Sequence, residues 1–204
     1  MILKSDEIRK MCLYWPEIHG SYEKYTSVRL IDPFNESQLN PSSYDITLSN
    51  KLGSLYHSNG IDPQFPNNIV FSEQEFESLV LTPGGTALAI SNEYFNFPGN
   101  IAGMLKSKST LGRMFISVTN GDAGWFDTGF RGRAVLELVN HSSQPIILYA
   151  GQRIGQMVFM ECKGDSSIVY NGHYSDQKSF HVDGFISAIK KFYTQHLDWK
   201  KKNE

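Results

Sequence analysis

Glu137 stands in the run AVLELVN, whose alternating pattern predicts a strand. On that reading Ala134, Leu136 and Leu138 share one face, while Val135, Glu137 and Val139 share the other. An isolated ionised carboxylate on an apolar sheet face is costly unless it is paired or takes up a proton. Such a group is a candidate general acid/base, because burial moves its pKa toward neutrality. An edge-strand Glu, or one paired with Arg131 or Arg133, fits the same pattern.

Two further stretches carry chemistry. SKSTLGR (107–113) gathers Ser107, Lys108, Ser109, Thr110 and Arg113, the hydroxyls and cations that a phosphate chain requires. A solvated basic turn has the same composition. DAGWFDTGFRG (122–132) reads as a glycine-rich hairpin carrying Phe126, Asp127 and Phe130. A carboxylate beside aromatic rings can bind a sugar hydroxyl while the rings fill the space around sugar and base. A turn-capping Asp with core Phe residues is the plainer alternative.

Metal chemistry has little support. Zinc-dependent nucleobase deaminases need His-x-Glu and Pro-Cys-x-x-Cys motifs. None of the six histidines has Glu two places on, and Cys12 and Cys162 lie far apart. The hydrolase elbow G-x-S-x-G, the P-loop and the G-x-G-x-x-G fingerprint are absent as well. His141 and His173 read as surface or loop residues.

The elements that must position these residues are mostly strands. The chain has 204 residues, a net charge of −2 and 40% hydrophobic residues, which predicts one domain over residues 1–204. So balanced a charge argues against nucleic-acid binding through bulk positive charge, and no apolar run approaches a membrane span. The acidic start and two cysteines predict no signal peptide, no disulfide framework and a reducing cytoplasmic setting. Ser5 followed by Asp6 and Glu7 predicts a short helix to about Cys12. Between about 40 and 162, eight β-prone runs alternate with turns such as PGG (83–85), FPGN (97–100) and NGDAG (120–124). The runs are 43–48, 68–71, 86–90, 101–106, 114–118, 134–139, 145–149 and 154–160. That spacing predicts an all-β sandwich, jelly roll or barrel. Residues 163–184 read as irregular, and a helix is predicted over about 185–200.

In order, NPSSYDITL (40–48), PGGTALAISNEYFNFPGNIAG (83–103), STLGR, DAGWFDTGFRG, AVLELVN and GQRIGQ resemble the dCTP deaminase branch of the trimeric dUTPase superfamily. The resemblance covers most of residues 1–162. It implies a mainly β fold, a distorted jelly-roll-like barrel of the dUTPase type with a short N-terminal and a C-terminal helix. It also implies a homotrimer with sites between subunits, and Mg²⁺ carried on the nucleotide phosphates, with no zinc. Lys108, Ser109, Thr110 and Arg113 then match phosphate ligands, Lys108 standing where the family commonly has Arg. Asp127 matches the acid on the deoxyribose 3′-hydroxyl, which in triphosphate-cleaving members helps activate water. Phe126 and Phe130 match aromatics around the sugar, and the turn holding Ala123 matches the backbone that reads cytosine. Gln156 matches a phosphate-contacting Gln, and Glu137 matches the deaminase general base.

The implied activity is hydrolytic deamination of dCTP to dUTP and ammonia, with dTTP a candidate inhibitor. Ala123-Gly124-Trp125 before Phe126-Asp127 resembles bifunctional members, which release dUMP and diphosphate. Two departures stand out. From Arg113 to Asp127 the chain is one residue longer than the usual family spacing. In the closing segment Tyr170 and Lys178 are eight apart and Val182 stands where a Gln is usual, leaving Tyr170, Tyr174 and Lys178 as the candidate triphosphate ligands. A dUTPase without deaminase activity, with Glu137 structural, and a catalytically silent nucleotide-sensing trimer remain alternatives.

Overall fold

A computed structural model describes residues 1–13, 29–56, 60–120, 123–164 and 168–203. In chain order the elements are α1 (Ser5–Leu13), β1 (Ile31–Asp32), β2 (Leu39–Asn40), β3 (Ser43–Tyr56), β4 (Val70–Glu75), β5 (Ser78–Leu81) and β6 (Thr86–Asn96). Then follow β7 (Ile101–Ser107), α2 (Ser109–Arg113), β8 (Ile116–Ser117), β9 (Trp125–Phe126), β10 (Arg131–Asn140), β11 (Ile146–Tyr149), β12 (Arg153–Glu161) and α3 (Val182–Asn203). Asp6 and Glu7 lie in the first turn of α1, where the partial positive charge of the helix start favours them.

Ten strands form one curled half-barrel sheet with the order β8-β10-β6-β3-β12-β7-β9. β1 pairs with β6, while β2 and β4 pair with β3. The long β3 serves two sides. Its first residues, Tyr44 to Thr47, pair with β12, and Lys51 onward pairs with β4. A register irregularity between Leu48 and Leu52 lets the strand turn that corner. β5 and β11 form a separate two-stranded sheet. The enclosed core is aliphatic and aromatic, with Tyr44, Phe95 and Phe159 fully buried and Phe97 packed edge-on against Phe159 and Phe126. This is a mainly β fold, as the evenly spaced β-prone runs predict.

The differences are local. The run 114–118 keeps only Ile116–Ser117 as strand, because Phe115 adopts φ 59 just after α2. The run 68–71 starts late, since Pro66–Asn68 form a turn of 3₁₀ helix before β4. DAGWFDTGFRG does not close a hairpin: β9 pairs with β7 and β10 pairs with β6, so the turn crosses between two edges of the curled sheet. Residues 121 and 122 of the NGDAG turn, where an extra residue is expected, lie outside the described residues. The C-terminal helix begins at Val182, three residues earlier than expected.

Candidate active site

Burial along β10 alternates residue by residue, as a strand with one face in the core must. Ala134, Leu136 and Leu138 are fully buried, and Val135, Glu137 and Val139 are half-buried on the opposite face. Glu137 therefore faces away from the core, into a cavity of about 530 Å³. Its cross-strand neighbour Leu88 and its own neighbour Val135 form an apolar floor. Burial pushes the Glu137 carboxyl above its ordinary pKa, and backbone donors, among them the Asn120 amide at 3.4 Å, offset this only in part.

Asp127 enters the same cavity from the turn after β9. The turn is closed by the Phe130 amide donating to the Asp127 carbonyl at 3.1 Å. The Trp125 indole N–H donates to Asp127 Oδ1 at 2.9 Å, which fixes one carboxylate oxygen and leaves the other available. Phe126 and Phe130 meet with centroids 4.9 Å apart, and Phe130 also packs on Tyr170. These rings wall the acid on its core side.

A strap of residues 168–181 forms the roof. The Tyr170 amide donates to the Thr128 carbonyl at 2.8 Å, directly over Gly129. Gly129 has φ +83, and a Cβ there would lie 2.8 Å from Val169 Cβ, so the close approach requires glycine. Further along, Gln177 and Arg133 exchange two bonds: the Arg133 amide donates to the Gln177 carbonyl at 2.8 Å, and Gln177 Nε2 donates to the Arg133 carbonyl at 2.7 Å. Asp176 accepts from Arg131 at 2.7 Å and from the Tyr94 hydroxyl at 3.1 Å. Tyr170 and Tyr174 are thereby held over the two acids. Burial raises both phenol pKa values, and the nearby charges of Asp127 (on Tyr170) and Glu137 (on Tyr174) act in the same direction.

A second cluster lies on the other side of β3. Asp45 follows the fully buried Tyr44 and pairs across the sheet with Gln156. Its side chain is 1% exposed and accepts from four residues. Lys108 Nζ donates to Oδ2 at 2.6 Å and Arg153 Nη1 to the same oxygen at 3.4 Å. Asn40 Nδ2 and Gln156 Nε2 donate to Oδ1 at 2.8 and 3.3 Å. Beside Lys108, the short α2 is pinned by buried Leu111 and leaves Ser109, Thr110 and Arg113 exposed.

A family model described as dCTP deaminase-like matches residues 17–162. The chain belongs to the dCTP deaminase-like family. Among its curated relatives, "dCTP deaminase, dUMP-forming" from Sulfurihydrogenibium sp. is 34% identical over 163 residues, covering 76% of this chain and 88% of the relative. The protein of the same name from Hydrogenobaculum sp. is 38% identical over 152 residues, covering 73% and 82%. A solved structure of 2′-deoxycytidine 5′-triphosphate deaminase from Agrobacterium tumefaciens shares the fold, with a TM-score of 0.55 at 20% identity. The superposition covers 78% of this chain but about half (47%) of that longer one.

Within this dCTP deaminase-like chain the expected site residues fall into two groups. Ala123, Phe126, Asp127, Phe130, Glu137, Tyr170 and Tyr174 come together around the cavity. Lys108, Ser109, Thr110, Arg113, Gln156 and Lys178 do not line it. Lys108 and Gln156 converge instead on Asp45. Sequence reasoning misses Asp45 and Arg153, and it gives Trp125 no contact with Asp127. The signal for Asp45 was available: an acid in the alternating run SYDITL is as conspicuous as Glu137 in AVLELVN. Among the described residues no three His, Cys, Asp or Glu side chains group as a metal cage, and no helix is long and apolar enough to cross a membrane.

Proposed function

We propose that this chain deaminates dCTP and carries the product on to dUMP, working as one domain in a homotrimer. The observation that supports it is the meeting of Glu137 and Asp127 in one cavity beneath Tyr170 and Tyr174, with the Glu137 carboxyl raised by burial. Water attacks C4 of cytosine while Glu137 accepts its proton. Glu137 passes that proton to N3, then takes the proton of the new C4 hydroxyl and delivers it to the amine; the C4–N4 bond breaks as C4=O forms, and ammonia leaves with dUTP. A carboxylate whose pKa is lifted toward neutral can do both halves of this exchange.

Asp127 binds the 3′-hydroxyl of the deoxyribose, with Phe126 and Phe130 closing the space around the sugar. The backbone at Ala123 reads the cytosine edge. For the second step Asp127 orients a water toward the α-phosphorus, releasing diphosphate. The relatives whose names are "dCTP deaminase, dUMP-forming" support that extension. Lys108, Ser109, Thr110, Arg113, Gln156 and Lys178 take the triphosphate. Since they lie outside the cavity, the nucleotide spans two subunits, with base and sugar on one chain and phosphates against its neighbour. Mg²⁺ arrives on the triphosphate oxygens and neutralises their charge, and the hydroxyls and cations around Ser109 suit a phosphate chain better than a bare ion. dTTP competes for the same cavity as an inhibitor. Free Cys12 and Cys162 suit a reducing, cytoplasmic setting.

Incubation with dCTP and Mg²⁺, followed by chromatography and an ammonia assay, tests this. Equal amounts of ammonia, dUMP and diphosphate are expected. Unchanged dCTP beside conversion of added dUTP to dUMP would identify a dUTPase and overturn the deaminase reading.

A further inference from the structure

Asp45 has no part in the chemistry just described, yet it is the most fully satisfied acid among the sites above. Its carboxylate is 1% exposed, and donors reach it from β2, from the residue after β7, and from two positions of β12. Burial by itself would raise its pKa, but bonds from Lys108, Asn40 and Gln156 hold it below the ordinary carboxylate value. It is therefore an anion at any pH near neutrality.

Two of its partners are cations bonded to a single oxygen, Oδ2. Lys108 and Arg153 would repel one another at that spacing without the carboxylate between them. Both still face solvent, with side chains 26% and 42% exposed. Lys108 Nζ uses one of its three donors on Asp45, and Arg153 uses Nη2 on Ser37 at 2.9 Å, so donors remain on each. A free lysine loses about 1.5–2 kcal/mol of rotamer freedom when immobilised. Here that cost is met on folding, before any ligand arrives.

We infer that Asp45 is a positioning residue that gathers Lys108, Arg153 and Gln156 into one pre-set patch for the outer phosphates of the nucleotide. The inference rests on the nucleotide reading given above, and it adds Arg153 to the phosphate-binding set. The patch acts on the β- and γ-phosphates, so it sets the preference for triphosphate over monophosphate and leaves the base and sugar subsites alone.

Calorimetric titration of the native oligomer with dCTP and with dCMP tests this, for wild type, Asp45→Asn, Lys108→Ala, Arg153→Ala and the Asp45→Asn/Lys108→Ala double variant. Each single variant is expected to weaken dCTP about tenfold and to leave dCMP within about twofold; the double variant should lose less than the two single losses combined, since Asp45 acts in part through Lys108. A merely structural Asp45 would weaken both nucleotides alike, or its effect would add in full to that of Lys108→Ala, and either result overturns the inference. Should Asp45→Asn fail to fold, lysine ammonium NMR of the wild type decides. An ordered Lys108 ammonium that shifts on adding tripolyphosphate supports the inference, and a freely averaging one overturns it. If wild type turns over dCTP while Asp45→Asn keeps its triphosphate preference, only this inference falls. If wild type binds no deoxycytidine nucleotide, the functional reading falls and this inference with it.

Discussion

Glu137 and Asp45 are two acids on strands of the same curled sheet, and their surroundings push them in opposite directions. Glu137 sits over Leu88 and Val135, with a long contact from one backbone amide, and its pKa is raised. Asp45 is less exposed to water, yet four side chains donate to it and its pKa is lowered. Loss of contact with water therefore does not by itself decide the protonation state. The number and charge of the donors do. A carboxylate left short of donors can exchange protons with a substrate, whereas one surrounded by them can only hold its partners in place. In the proposed mechanism the first serves the reacting base and the second stands behind the phosphate ligands.

Glu137→Gln should give the largest effect and test that contrast on both counts. The substitution keeps shape and removes the proton shuttle, so deamination is expected to fall by about 10³-fold. Ammonia release measures the loss, and calorimetry should find dCTP binding retained. A variant that keeps most of the wild-type rate rules out Glu137 as the general base.

Stability should separate the two acids by sign. Asp45→Asn presents an amide N–H to groups that are themselves donors, and should cost about 2 kcal/mol at pH 7. Because the folded-state pKa of Asp45 is depressed, its contribution exists above the unfolded carboxylate value and is lost as pH falls through the folded one. The gap between wild type and Asp45→Asn should accordingly close on acidification. Glu137 has a raised pKa, so its contribution is present below the unfolded value and disappears as pH rises through the folded one. Glu137→Gln should thus be at least as stable as wild type at pH 7. Denaturant melts at several pH values check both. Equal destabilisation by the two variants would erase the distinction drawn here.

The same raised pKa bears on rate. Glu137 must be ionised to accept a proton from water, so the acid limb of the deamination profile should rise with pH, centred above the ordinary carboxylate value of about 4.3. A limb centred at that ordinary value would mean that the cavity is wet when nucleotide binds.

The fold was readable because its strands obey a period of two over long runs. AVLELVN places its core face by alternation alone, and Leu136 occupies that face. Contacts made by turns and by sequence-distant side chains were less readable. DAGWFDTGFRG has the glycines of a hairpin, but the pairings of its two flanks are decided by β7 and β6, which the turn itself cannot specify. Phe115 looks β-prone, yet the end of α2 forces it into positive φ. The convergence of Asn40, Lys108 and Arg153 on Asp45 joins positions up to 108 residues apart, and no local spacing encodes it. The resemblance implies phosphate contacts for the two tyrosines of the strap, and their place beside Asp127 and Glu137 is a tertiary fact that no local spacing encodes.

The strap supplies the smallest expected effect. Arg131 and Asp176 form an ion pair at 2.7 Å, but their side chains are 46% and 53% exposed. Water screens such a pair, and holding two long side chains together costs entropy. The strap is also tied by backbone bonds at Tyr170, Asp176 and Gln177, none of which needs the Asp176 carboxylate. Asp176→Asn should therefore change stability by less than about 1 kcal/mol, a shift in Tm of about 2–4 °C or less for a chain of this size. Deamination should stay within about twofold of wild type, because Tyr170 and Tyr174 keep their places. A large loss of activity without loss of stability would show that the roof is held by exposed charge, and would shift the weight from the backbone ladder to the Arg131–Asp176–Tyr94 group.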